Sequence, residues 1–241
     1  ADGEPALRLG LRLVKSLSQA GAARLIAARA QQSFASVQDL SARAALERGD
    51  LEALAAAGAF ASLSGNRHLA FWEVAGTERV LPLAPAPRDP QSAEGRPLLR
   101  APTEGEVISA DYAALGLTLG RHPLALLRAR LRAEALVAAS ELAGAAHGSQ
   151  VRACGIVLMR QRPATASGVT FLTLEDESGQ VNVIVWERIG REQRRALLES
   201  RLLEVHGELQ RSHGITHLIA RRLIDRTPLL GELVTRSRDF H

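Results

Sequence analysis

Residues 168–186 read GVTFLTLEDESGQVNVIVW. Apolar and polar positions alternate with a period of two on either side of Asp176-Glu177-Ser178-Gly179, which is the pattern of two antiparallel strands joined by a tight turn. The pleat then sorts the side chains. Leu172 and Leu174 point to one side, and Phe171, Thr173 and Glu175 to the other. In the second strand Val181, Val183 and Val185 form a purely apolar set, leaving Asn182, Ile184 and Trp186 opposite. The leucines and valines are the expected core, with Phe171, Thr173, Asn182, Ile184 and Trp186 on the outer face.

The flanking sequence extends the same period. From Gln150 onward Val151, Ala153, Gly155 and Val157 alternate with Arg152, Cys154, Ile156 and Leu158. After Trp186, Ile189, Leu197 and Leu198 mark a helix over about 187–199, and two further strands, about 201–210 and 215–224, meet through Ser212-His213-Gly214. Three strands, a helix and two strands is the order of an OB-fold, a five-stranded Greek-key barrel, here expected over 150–241. OB-folds stack bases on their second and third strands, so the outer-face set is a candidate single-strand DNA site. Arg160, Gln161 and Arg162 are expected in the loop after the first strand, and Arg211 and His213 in the loop between the last two, flanking that face with positive charge. The same aromatic face also suits packing against protein, and the sequence leaves both readings open.

Upstream, residues 107–149 read as a helical connector. Pro123 opens a helix carrying Leu124, Leu127 and Leu131, with His122 before it as a cap or packing residue. Residues 77–106 hold six prolines between 81 and 102, at a density that blocks helix and central strand alike, and form an expected linker. Residues 1–76 read as a small helical domain. LRLVKSLSQAGAARLIAAR resembles a helix-hairpin-helix, in which glycine amides and a helix N-terminus hold a phosphate. Lys15, Ser16, Leu17 and Ser18 are its candidate DNA contacts, with Ser16 and Ser18 standing at the two glycine positions. In the following stretch Asp50 is expected to cap a helix through Leu51 and Leu54 that Gly58 ends, and Asn66 to cap the last helix. The fold class expected is therefore α+β: a tandem helix-hairpin-helix domain followed by an OB barrel.

Composition narrows the chemistry. A net charge of +4 permits phosphate contact without demanding it, and with aromatics at 3% each exposed ring matters. Lys15 is the sole lysine among the basic residues. One cysteine, Cys154, excludes an internal disulfide and suits a reducing cytoplasm. No Cys/His spacing matches a zinc site, Glu175-Asp176-Glu177 reads as a solvated turn, and no phosphate loop, nucleophile-base pair or spaced carboxylate set suggests catalysis. No apolar run approaches the roughly 20 residues of a membrane span. A chain that starts at Ala1, with Met159 its one methionine, is expected to be part of something longer.

Taken in order, the segments resemble the C-terminal region of bacterial C-family, DnaE-type DNA polymerases. LGLRLVKSLSQAGAARLIAAR, FASVQDLSARAALERGDLEALAAAGAF and NRHLAFWE match the tandem helix-hairpin-helix region, DYAALGLTLGRHPL the segment after it, and SGVTFLTLEDESGQVNVIVW the OB-fold. The ending SRDFH is similar to that of the error-prone, ImuC-type branch. The resemblance implies a part in damage-induced, translesion synthesis, with magnesium held by carboxylates of a palm domain outside this chain and no cofactor within it. It implies as partners DNA, the mutasome proteins ImuA and ImuB, and the sliding clamp, directly or through ImuB. By the same resemblance the tail domain that binds the clamp-loader subunit tau is left out. GVTFLTLEDESGQVNV is also similar to the anticodon-binding domain of class II aminoacyl-tRNA synthetases, and a pure protein-interaction module is the other alternative.

With no metal-binding carboxylate set in the sequence, the purified chain is expected to show no nucleotidyl transfer. Template-dependent primer extension by a contaminant-free preparation would refute this.

Overall fold

The computed structural model describes residues 9–77, 97–165, 168–212, 214–231, 233 and 238–240. The chain divides into two compact units, residues 1–118 and 119–241. That boundary falls inside the stretch expected as a single connector, whose two ends are held by different bodies. Of the expected linker, residues 78–96 lie outside the described residues. Its C-terminal end is not linker: helix α6 begins at Glu104, Arg100 pairs with Glu106 at 2.6 Å, and His68 Nδ1 lies 2.6 Å from the Arg100 carbonyl. The bond from Arg100, followed by those from the Thr103 amide and hydroxyl, holds the Glu106 carboxyl down to about 2.

The first unit is helical. Its elements are α1 (Gln19–Gln31), α2 (Val37–Ala44), α3 (Arg48–Ala56), α4 (Ala61–Ser64), α5 (Arg67–Ala75) and α6 (Glu104–Ala114). Serine and asparagine set the starts, since Ser18, Ser36 and Asn66 each accept an amide of the first turn of α1, α2 and α5. Gly58, at φ +70°, ends α3 in the left-handed conformation. Its amide reaches Ala55 O and the next amide Leu54 O, a Schellman stop. Leu25, Leu40, Leu51, Leu54, Phe60 and Val74 meet in one core. Asp50 is not the cap of α3, as expected from sequence. Glu47 holds that position, and Asp50, three residues in and 5% exposed, accepts instead from Ser18.

The second unit is a closed barrel preceded by α7 (Pro123–Ala133) and α8 (Ala139–Gly144). Its strands are β1 (Gln150–Gln161), β2 (Thr170–Asp176), β3 (Gly179–Val185), β4 (Leu202–Ser212) and β5 (Ile215–Asp225), with α9 (Glu187–Glu192) and α10 (Arg194–Glu199) between β3 and β4. The sheet order β2-β3-β5-β4-β1 closes through the β1–β2 pairing, the five-stranded OB topology, and a short β6 (Arg238–Phe240) adds in parallel to β1. One long strand serves both neighbours: the first half of β1 pairs with β4 and the second, from Ile156 on, with β2, across a bulge between Val157 and Met159. The inward parity is the one the alternation predicts. Leu172, Leu174, Val183, Val185, Val205, Leu209 and Leu218 are all buried in the barrel core.

Part of the outer surface is covered too. Val137 pairs with Ala153, laying the segment between α7 and α8 along β1. Beside β1 on β4, Glu204 is wholly buried. It accepts from Arg152 at 2.9 Å, from His206 Nε2 at 2.5 Å and from Arg226 at 2.5 Å, while Arg226 also reaches Glu134 at 2.7 Å. Burial pushes the Glu204 carboxyl up, but the bonds from Arg152, His206 and Arg226 outweigh it and hold it down to about 2 from an ordinary 4.5.

A carboxyl held below its unfolded value stabilises the fold fully above about pH 4.5, and that contribution is lost as the pH falls toward 2. Glu204→Gln leaves guanidinium groups without their counter-charge, so it is expected to lower the unfolding free energy by about 3–5 kcal/mol at neutral pH. The variant should also lose less than the parent on acidification. Thermal melts at about pH 7 and about pH 3 check both, and an equal acid loss in the two proteins would overturn the assignment.

Candidate nucleic-acid interface

The outer face of β2 and β3 is built by their register. Phe171 pairs with Ile184 and Thr173 with Asn182. β5 lies parallel on the far side of β3 and places Ile219 beside Ile184 and His217 beside Asn182. β1 completes the rows from the near side, Gln161 opposite Phe171 and Met159 opposite Thr173. The result is an apolar row, Phe171-Ile184-Ile219, next to a polar row, Thr173-Asn182-His217. Phe171, Thr173, Ile184, His217 and Ile219 are half-exposed and Asn182 is exposed. A ring and two branched apolar side chains suit the face of a base, and the hydroxyl, amide and imidazole beside them suit its polar edge.

Trp186 sits one residue past the end of β3, at the N-cap of α9, and is 55% exposed. It extends the aromatic surface beyond the last strand pair, Thr170 with Val185. The β5 contribution, Ile219 and His217, is absent from the sequence-based set. The alternation of ITHLIARRLID marks Leu218 and Ala220 as inward and so His217 and Ile219 as outward. What it does not give is the neighbour, because a parallel β3–β5 pairing leaves no local signature.

The flanking cations are redistributed. Arg160 is not in a loop: β1 runs through Gln161, and Arg160 is 7% exposed. Its Nε donates to Leu197 O at 2.8 Å and its terminal nitrogen to Ser200 O, closing the end of α10. Arg160 is thus a strand residue held by internal bonds, and not the loop residue expected from sequence. Arg211 lies within β4, and its guanidinium donates to Leu142 O and Ala143 O at the end of α8, the negative pole of that helix. It too is held internally. Arg162 is exposed just beyond β1, where the sequence reading places it. His213 lies outside the described residues.

The acidic turn is a clamp. Asp176 accepts the amides of Ser178 at 2.7 Å, Gly179 at 3.1 Å and Ala139 at 2.8 Å, and Arg128 of α7 joins Asp176 at 3.0 Å and Glu177. His122 caps α7 through Nδ1, which accepts from the Leu124 amide at 3.2 Å. Burial pushes its imidazole pKa down, and burial pushes the Cys154 thiol up to about 12. Among the described residues no group of three or more His, Cys, Asp or Glu is placed to hold a metal ion. No helix among them is long and apolar enough to cross a membrane.

The first hairpin is also turned inward. Ser16 takes φ +65°, the left-handed conformation for which glycine is ordinarily used. The Ser18 amide donates to Asp50 Oδ1 at 2.8 Å and its hydroxyl to Oδ2 at 2.9 Å. An internal carboxylate therefore occupies the Ser18 donors, the last of those expected to hold a phosphate. Gly21 is required there, since a Cβ would overlap the Asp50 carboxylate. Lys15 Nζ donates to Tyr112 O at 3.0 Å and Ala113 O at 2.7 Å, capping α6. Of the candidate contacts, Lys15 and Ser18 are thus bonded within the helical unit, and Leu17 packs against its core.

Comparison with known proteins agrees with this architecture. Residues 1–70 match a family described as a helix-hairpin-helix motif, and residues 151–225 one described as an OB-fold nucleic acid binding domain. Over 240 residues, all of this chain and 23% of the relative, it is 55% identical to an error-prone DNA polymerase of Alkalilimnicola ehrlichii. Over 239 residues, again 23% of the relative, it is 53% identical to one of Pseudomonas paraeruginosa. The chain thus spans about a quarter of the length of the curated relatives it matches. Among solved structures, asparaginyl-tRNA synthetase from Pyrococcus horikoshii is similar over 38% of this chain and 22% of its own, at 21% identity and a TM-score of 0.33.

Lys15→Ala is expected to lower the melting temperature of the helical unit, by removing its bonds to the last carbonyls of α6, and to leave duplex DNA affinity unchanged. Melts and anisotropy titrations with a labelled duplex check this. A folded variant with weakened duplex binding and an unaltered melt would restore Lys15 as a phosphate contact.

Proposed function

We propose that this chain is the non-catalytic, DNA-handling part of an error-prone DNA polymerase, and that it binds single-stranded DNA on the outer face of β2, β3 and β5. The observation that carries the reading is the pair of rows on that face, with Phe171 half-exposed and Trp186 exposed in a chain poor in aromatics. Fully buried rings would be core. Rings open to solvent in part, beside hydrogen-bonding side chains on the middle strands of an OB barrel, fit base stacking.

The similarity to error-prone polymerases covers the helical unit as well as the barrel, which favours a polymerase part over a synthetase anticodon domain. On this reading nucleotide addition, with its magnesium, belongs to the remainder of the longer protein. Damage-induced translesion synthesis, the ImuC-type branch and the partners ImuA, ImuB and the sliding clamp are part of the same proposal, supported by the resemblance of the segments in order. Because Arg160, Arg211 and Lys15 are engaged internally, affinity on this face rests more on stacking than on a dense ring of phosphate contacts.

Phe171→Ala is expected to cost about 1–3 kcal/mol of single-strand affinity with the melting temperature little changed. Arg211→Ala should lower the melting temperature, because it uncaps α8. Anisotropy with labelled single strands, beside thermal melts, checks the pair; unchanged single-strand affinity in folded Phe171→Ala would refute the stacking reading.

A further inference from the structure

Where β1 ends and β2 begins, the barrel opens on a cleft of about 300 Å³ against α9 and α10. Arg162, Arg191, Arg194, Glu187 and Leu198 line it, over the buried Leu197. The charges are unequal in availability. Arg191 pairs with Glu187 at 2.6 Å, and that pair is neutral as a unit. Arg162 and Arg194 are exposed and make no ion pair or hydrogen bond among the described residues. The other arginines of these two helices are paired one turn on, Arg188 with Glu192 and Arg195 with Glu199. Two uncompensated guanidinium groups therefore converge on one cleft, above an apolar floor.

The register places this cleft at the end of the aromatic face. Gln161 pairs with Phe171, so Arg162 stands one residue past that row. Thr170, which lines the cleft, pairs with Val185, and Trp186 follows directly. We infer that the cleft takes the phosphodiester backbone of the same single strand whose bases lie on Phe171, Ile184 and Trp186, with Arg162 and Arg194 as its phosphate contacts. The inference rests on the single-strand reading above and extends it, giving the strand a path off the sheet past Trp186 and over α9 and α10. Two free guanidinium groups suit phosphate oxygens, and the Leu197–Leu198 floor suits the apolar edge of a sugar.

The test uses the full chain, labelled deoxythymidine oligonucleotides of about 4 and about 16 nucleotides, and anisotropy at several salt concentrations. Arg162→Ala and Arg194→Ala are each expected to flatten the slope of log affinity against log salt by about 0.7 on the long strand. On the short strand, which the stacking face alone accommodates, both should be nearly silent. Arg195→Ala removes the same charge from the same helix and should leave the slope unchanged, so a general charge effect is distinguished from a contact. If the parent binds and Phe171→Ala weakens it while the Arg162 and Arg194 variants keep the parental slope, this path is overturned and the stacking reading stands. Equal flattening on the short strand would also overturn it, by moving the contacts onto the face itself. If the parent binds no single strand, both readings fall.

Discussion

Three residue pairs, Asn182 with His217, Val183 with Leu218 and Ile184 with Ile219, form the parallel ladder that joins β3 to β5. Much of the second unit follows from it. It joins the two ends of a run of four antiparallel pairings, β3-β2-β1-β4-β5, and so closes the barrel. Because register fixes parity, seating Leu218 beside Val183 in the core obliges Ile219 and His217 to stand outside, beside Ile184 and Asn182. A slip of one residue would bury the imidazole and expose Leu218. The candidate surface is thus a by-product of core packing, and needs no further device to hold its side chains in line.

The same unit shows why a basic composition is a poor guide to a binding surface. Many of the arginines close the structure on itself. Arg160 and Arg211 satisfy carbonyls at helix ends, Arg128 binds the β2–β3 turn to α7, and Arg152 and Arg226 neutralise Glu204. In the first unit Arg67 does the same for Asp111, and Lys15 for the end of α6. A helix end leaves several carbonyls without partners, and a planar guanidinium reaching two at once is an economical cap. The net charge of +4 is therefore the remainder of a largely internal balance.

That distinction sets the limit of what was legible in the sequence. Period-two alternation with a turn signal specified β2, β3 and the parity of Leu172, Leu174, Val183 and Val185, because a strand with one buried face must write that face into its sequence. Gly58, Asn66 and Pro123 marked helix ends for the same local reason. Asp50 was misplaced because its partner, Ser18, lies on another hairpin. Arg160 was misplaced because β1, with a bulge at Val157–Met159, continues three residues past the alternation that ends at Leu158, and because the carbonyls it binds lie at the end of α10. His217 and Ile219 were missed because strand neighbours across a parallel pairing are a property of topology. Long-range partners do not leave periodic signals.

The hairpin at Ser16–Ser18 gives the most direct argument about how the two motifs divide labour. A hairpin that holds a phosphate must leave its amides open to an anion; here Asp50 supplies the anion from within and ties two hairpins together, at the cost of that opening. Ser16 accepts a left-handed backbone that costs a non-glycine residue about 1–2 kcal/mol, which is tolerable where a buried carboxylate fixes the turn. The Lys15 ammonium at this hairpin is likewise bonded within the helical unit, at the end of α6. On the barrel the order is reversed: the charged clamps lie at the turn, the helix ends and the β1–β4 surface, and the aromatic and polar rows on β2, β3 and β5 stay turned to solvent. The proposed single-strand recognition by stacking would suit this arrangement, since a base presents its face whatever its sequence and asks little of surrounding charge.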